Sequence, residues 1–247
     1  MIALRTMTSA HRAPAARTPG FTLVELLVVI GVIGMLLAIL LPTLASARRA
    51  GFAAVCVSNL RQMSVICEQY ADDHKGFYPA IGQPYAALPN WALVVQQAAG
   101  RSGTGAELYS TSSVLVCPAA RSILGPDMTR TYAMNATGHS GAATTVNGQT
   151  PAPDRTNYDT GPAHIRRDLI RSPSTIVLLL DSDRAAPVPG APPSTRTASV
   201  IDFRVEGHVR ERVGRFHADR QVFNTVRFDG SALGFREVLT DWAQPLP

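Results

Sequence analysis

A chain of 247 residues can form one large domain or two small ones, and its 46% hydrophobic content is enough to build a core. Charged residues are only 17%, and the net charge of +5 (Lys+Arg 23, Asp+Glu 18) is scattered along the chain. No basic stripe with aromatic or helical support is present, which argues against a nucleic-acid interface. Cys56, Cys67 and Cys117 include no C-x-x-C pair, so they are too few for a zinc site or a disulfide scaffold but leave room for one bridge outside the cytoplasm. No metal or cofactor is expected.

Residues 1–19 carry Arg5, His11, Arg12 and Arg17 and no acidic residue, and read as a basic, poorly structured leader. Gly20-Phe21-Thr22-Leu23-Val24-Glu25 follows, then an apolar run to Leu41 in which Glu25 is the one strongly polar side chain. About 20 apolar residues at ~1.5 Å rise cover a hydrocarbon core of ~30 Å, so 21–41 is expected to span a membrane. A secretory signal would be shorter and would end in a small-residue cleavage site. A plain anchor gives no reason for Glu25, whose charge costs roughly 2.5–3.5 kcal/mol at mid-membrane, less near a helix end.

The basic leader, Gly20 through Glu25 and the long apolar helix together resemble the type IV prepilin and type II secretion pseudopilin signature. The resemblance implies cutting between Gly20 and Phe21 by a prepilin peptidase, methylation of Phe21 and retention of the apolar helix. Glu25 matches the acidic position thought to pair with a neighbouring subunit's N-terminal amine, where an ion pair would offset the burial of both charges. Pro42 falls where many members carry a helix-kinking proline. Arg48 and Arg49 make both flanks of the span basic, so loop charge does not set orientation. The resemblance alone puts the leader inside and the bulk of the chain outside the inner membrane. The partners it implies are the peptidase, other pilin subunits, an inner-membrane assembly platform and the membrane itself.

Beyond the span, Cys56, Leu60, Met63, Cys67 and Tyr70 recur at steps of four and three, one face of a helix. That pattern predicts a helix continuing to about Asp73, capped by Gly76 and blocked by Pro79. Cys56 and Cys67 then read as buried small residues. Eleven helical residues put them ~16 Å apart, beyond the ~7 Å limit for a disulfide. Any bridge joins Cys117 to one of them, and the resemblance, not the spacing, favours Cys56.

Trp91–Ala99 reads as a short helix, and 113–117, 174–180, 199–203 and 225–228 as strands. Asp229-Gly230 followed by 231–235 predicts a tight hairpin. Gly100–Gly105, Gly138–Gly161 and Ala185–Ser199 read as surface loops. The expected fold class is α+β and pilin-like: a long N-terminal helix, membrane-spanning in its first half, packed on a small antiparallel sheet. The expected organisation is a leader (1–20), a membrane and assembly helix (21–41), a helix continuation packed on the domain (42–75) and a globular domain (76–247).

Cys56 through Gln62, Tyr70-Ala71-Asp72-Asp73, Cys117-Pro118 and Tyr132 through Asn135 resemble a large pseudopilin-like family abundant in Planctomycetes-type bacteria. Its members end in a His, about nine variable residues, then Asp-Gly on a strand. Here His217 and Asp229-Gly230 match in type, with eleven residues between.

His217 with Asp229 is the sharpest enzyme-like pair, yet Ser182 lies in no nucleophile elbow and no phosphate or dinucleotide loop is present. The preferred reading has both residues hydrogen-bonding backbone near a hairpin. Asp181 and Asp183 could line a calcium site, although carboxylates at a strand end are usually just solvated. The expectation is therefore an assembling subunit and not an enzyme. Its rivals are a tethered binding protein using the 138–199 loops and a tethered hydrolase using His217 and Asp229.

Overall fold

The computed structural model describes residues 22–81, 90–103, 108–137, 166–184, 194–203 and 205–243. It divides into two compact units, Met1–Ser46 and Ala47–Pro247. Gly20, Phe21, the whole 138–161 stretch and residues 185–193 lie outside the described residues.

The first long element is α1, Leu23–Asp73, which runs through Pro42 without interruption. In the first unit every described residue is exposed, among them Leu23, Leu26, Ile30, Ile33, Leu37 and Leu41. An isolated helix that is apolar all round has no aqueous resting place. Among the described residues this is the one helix long and apolar enough to cross a membrane.

In the second unit α1 becomes one-sided. Cys56, Leu60, Met63, Cys67 and Ala71 are fully buried, while Arg61, Gln62, Gln69 and Asp72 are exposed. Tyr70 is only half-buried and stacks on His74; Ala71, next to it, takes the core position. The end of α1 is closed at Gly76 (φ +83°), whose N–H donates to Ala71 O at 2.8 Å. That left-handed residue after the helix is the geometry glycine permits.

Short elements follow: α2 (Trp91–Ala98), α3 (Pro118–Leu124), β1 (Tyr132–Asn135), β2 (Val177–Asp181), β3 (Val200–Ile201), α4 (Glu206–Arg212), β4 (Phe223–Arg227) and β5 (Ala232–Phe235). Asn90 caps α2, its side chain accepting from Leu93 N–H. The strands form one sheet in the order β3-β1-β2-β4-β5, with β1–β3 parallel and the other pairs antiparallel. The β4–β5 hairpin turns at Asp229-Gly230, with Gly230 at φ +80°. The layout is α+β and pilin-like, a long N-terminal helix with a mostly antiparallel sheet.

Both faces of the sheet are covered. Tyr132, Met134, Leu178, Leu179, Val226 and Ala232 share a core with the buried face of α1. Ala133, Val177, Leu180 and Phe223 pack on the other side with Phe203, Val213 and Trp242. The β2–β4 register slips between Val177 and Leu179, which is why neighbouring Leu178 and Leu179 join the same core.

One strand expectation is overturned, and one helix was missed. Residues 113–117 are no strand. Ser113 Oγ accepts from Leu115 N–H, closing a tight turn, and Pro118 then opens α3 at a position that needs no N–H donor. The run is apolar because Leu115, Val116 and Cys117 are buried, not because it is extended. Helix α4 was not anticipated, since in seven residues with no apolar repeat only His208 is fully buried.

Candidate functional site

At the start of α1, Thr22 and Glu25 form a reciprocal cap. Thr22 Oγ1 accepts from Glu25 N–H at 3.2 Å, and Glu25 Oε2 accepts from Thr22 N–H at 2.9 Å and from Thr22 Oγ1–H at 2.8 Å. This is the Thr-x-x-Glu capping box, which satisfies the first unpaired donors of a helix. The sequence reading used Glu25 only as an assembly residue and passed over the Thr22 pairing, although the three-residue spacing announces it. Pro42 lies within α1, and the Thr43 hydroxyl beside it donates to Leu40 O at 2.8 Å.

The second unit holds a buried polar cluster. Cys56 on α1 and Cys117 just before α3 form a disulfide with Cα atoms 4.9 Å apart, and Cys67 is a free, buried thiol. Burial pushes the Cys67 thiol far above its ordinary pKa, so it stays protonated. Asn59, one turn after Cys56, donates to Val116 O at 3.1 Å and approaches Tyr132 Oη at 3.5 Å. Tyr132 Oη–H in turn donates to Cys56 O at 3.4 Å. This amide, beside the apolar stripe of α1, is one of the ties between the helix and the rest of the second unit.

His217 Nε2 lies 3.7 Å from Cys117 Sγ and is hydrogen-bonded to Asp181 Oδ2 at 3.1 Å. Asp181 is fully buried at the end of β2, and its Oδ2 also accepts from Asn224 N–H at 2.7 Å. Burial raises the Asp181 pKa, opposed by the bonds from His217 and Asn224. The Tyr132 hydroxyl is likewise raised, by burial first and by the Asp181 charge second. Asp181 Oδ1 and Asn224 Nδ2 are buried with no hydrogen-bond partner among the described residues.

The turn after His217 is unusual. Ala218, Asp219 and Arg220 all have positive φ (44°, 56° and 66°), a run that L-residues adopt only at a cost. Backbone bonds between His217 and Val222 close it in both directions, each at 3.0 Å. Asp219 at its tip meets Arg49 of α1 at 3.1 Å; both are exposed, so the pair adds little stability.

His217 and Asp229, weighed in the sequence as an enzyme-like pair, do not meet. His217 abuts the start of β4, whereas Asp229 lies past its far end, and five strand residues cover ~17 Å. Asp229 is exposed and accepts from Ser231 N–H at 2.9 Å within the hairpin turn. The calcium reading of Asp181 with Asp183 finds no shared site: Asp181 Oδ2 turns to His217 and Asn224 N–H, whereas Asp183 Oδ1 accepts from Arg184 N–H at 2.7 Å. Ser182 Oγ is occupied by Thr197 Oγ1 and Ala198 O.

Residues 16–41 match the model of the prokaryotic N-terminal methylation motif. No curated protein and no solved structure matches the chain. The matched stretch covers the Gly20–Glu25 signature and the exposed apolar half of α1. It marks the chain as prepilin-like and membrane-anchored, through the one candidate spanning helix among the described residues, and implies in general terms a prepilin peptidase and other pilin subunits as partners.

Proposed function

We propose that this chain is a pseudopilin-like subunit of a type II secretion pseudopilus or a type IV pilus-like filament. In this reading the peptidase cuts between Gly20 and Phe21 and methylates Phe21. The mature chain stays in the inner membrane with its globular domain outside the cytoplasm, and an assembly platform adds it to a filament. The chain performs no chemistry of its own; its work is mechanical.

The observation that carries this reading is the methylation motif lying on a helix whose apolar surface is exposed on every side from Leu23 to Leu41. In a filament the same surface would meet the equivalent helices of neighbours, and Glu25 would meet a neighbour's N-terminal amine. An ion pair between two desolvated charges fixes register more than it adds affinity.

The test is co-expression of the precursor with a prepilin peptidase, followed by intact-mass and N-terminal analysis. A product beginning at methylated Phe21, absent from a Gly20→Glu variant, is expected. Glu25→Ala should be inserted and cut normally yet fail to enter filaments. An unprocessed Met1 terminus, or filaments built normally from Glu25→Ala, would refute the proposal or its register role respectively.

A further inference from the structure

The Cys56–Cys117 disulfide does not lie in an apolar core alone. The two sulfurs and a ring nitrogen of His217 all lie within 4.8 Å of one another, and Asp181 Oδ2 lies 3.1 Å from His217 Nε2, the nitrogen that also faces Cys117 Sγ. Cys56, Cys117 and Asp181 are fully buried and His217 is 6% exposed. A disulfide needs neither group for its stability, and a buried carboxylate with one oxygen unpartnered is expensive to keep. The four side chains together are two sulfurs, an imidazole and a carboxylate, the donor set of a closed zinc site.

Distances agree with that chemistry. Around a tetrahedral zinc ion with sulfur at ~2.3 Å and nitrogen or oxygen at ~2.0–2.2 Å, donor atoms stand roughly 3.3–3.8 Å apart. Cys117 Sγ to His217 Nε2 is 3.7 Å and His217 Nε2 to Asp181 Oδ2 is 3.1 Å, so two of the donor–donor separations already stand at or near a tetrahedral edge. Cys56 completes the set once the sulfurs separate. We propose that the reduced form of this protein binds one Zn²⁺ through Cys56 Sγ, Cys117 Sγ, His217 Nε2 and an Asp181 oxygen, so that the cluster closes by a disulfide when oxidised and by a metal when reduced.

The conversion balances as a thiol–disulfide exchange. A dithiol reductant transfers two electrons and two protons to the Cys56–Cys117 bond and becomes a disulfide itself. Zn²⁺ then displaces both thiol protons and the proton held between His217 Nε2 and Asp181 Oδ2, which passes to Nδ1 or to solvent, so that His217 binds as the neutral imidazole protonated at Nδ1. The site is buried, so both steps pass through a local opening of the strained 218–220 turn or of the segment before α3.

The test uses the full chain in detergent, reduced with a dithiol, exchanged into a phosphine reductant, and titrated with Co²⁺ as a spectroscopic stand-in for zinc. One equivalent should give thiolate-to-cobalt charge-transfer bands and the intense visible bands of a tetrahedral ion, both abolished by one equivalent of Zn²⁺. Oxidised protein should give neither. Cys67→Ser should leave the spectrum unchanged, whereas Cys117→Ser should weaken the charge transfer and His217→Gln or Asp181→Asn should shift the visible bands. Near-ultraviolet circular dichroism of each oxidised variant, reporting buried Trp91 and Trp242, checks that the fold survives. Reduced protein giving no tetrahedral cobalt spectrum would overturn the proposal, whether it stays folded or unfolds without rescue by zinc. So would a spectrum that persists unchanged in Cys117→Ser or in both His217→Gln and Asp181→Asn.

Discussion

Opening the Cys56–Cys117 bond is the perturbation whose cost can be worked out most directly. The bridge closes a sequence separation of 61 residues. In the chain-entropy account, constraining the unfolded ensemble over that length is worth about 4 kcal/mol at 25 °C. Against a total of about 5–15 kcal/mol for a typical domain, that is a large share. The clean comparison is oxidised wild type against the same chain reduced in the presence of a chelator, because both sulfurs stay in place and no cavity is made. Urea unfolding of the full chain in detergent can be followed by tryptophan fluorescence. Trp91 reports the core shared with α1 and Trp242 the opposite face of the sheet. With a slope of about 2–3 kcal/mol per molar urea, the midpoint should fall by roughly 1.5–2 M. Both tryptophans should report the shift if the second unit unfolds cooperatively. A loss below about 1 kcal/mol would show that the bridge does not restrict the unfolded chain as argued. A shift in the Trp91 signal alone would show that α1 detaches without the sheet.

Two further substitutions probe the same region. Asn59→Leu removes the donor to Val116 O and the contact with Tyr132 Oη and should cost about 1–3 kcal/mol in the same assay; exposed Gln62→Leu should stay within about 0.5 kcal/mol, and equal costs would refute the tie between α1 and the segment before α3. Asp181→Asn should show a pH-dependent cost. The Asp181 pKa is raised in the folded chain by burial, so its favourable contribution is complete below the unfolded value of about 3.9 and is lost as pH rises through the folded value. The penalty for Asp181→Asn should therefore be larger at pH 3.5 than at pH 6.5. A penalty that grows with pH would mean that the ionised carboxylate is held by His217 more strongly than burial opposes it.

The parts of the fold that a sequence shows best are those fixed by short-range periodicity. The apolar run from Phe21 to Leu41 and the four-three steps from Cys56 to Cys67 needed no partner to be read. The Asp229-Gly230 turn was also legible, because its backbone geometry restricts which residues fit. The buried cluster was hidden for the opposite reason. His217 meets a sulfur 100 residues away and a carboxylate 36 residues away, and no local spacing links them. Asp181 looked like a solvated strand end, yet it closes the uninterrupted apolar run Val177–Leu180. Such a run marks a strand covered on both faces, and that signal could have placed the carboxylate inside. The run at 113–117 misled because apolar, β-branched composition reports burial and extension alike.

The capping box at Thr22 has a consequence for how reversible a filament can be. In the single chain the Glu25 carboxylate is already provided with two donors from Thr22. In the proposed assembly a neighbour's amine would share or displace them, so docking would be an exchange of partners and not the rescue of a bare charge. Most of what the new ion pair would contribute is offset by what it replaces, so that under the proposed function apolar surface would supply the attraction and Glu25 the stopping point. A subunit held in that proposed way would be withdrawn as readily as added, since its carboxylate has Thr22 to return to.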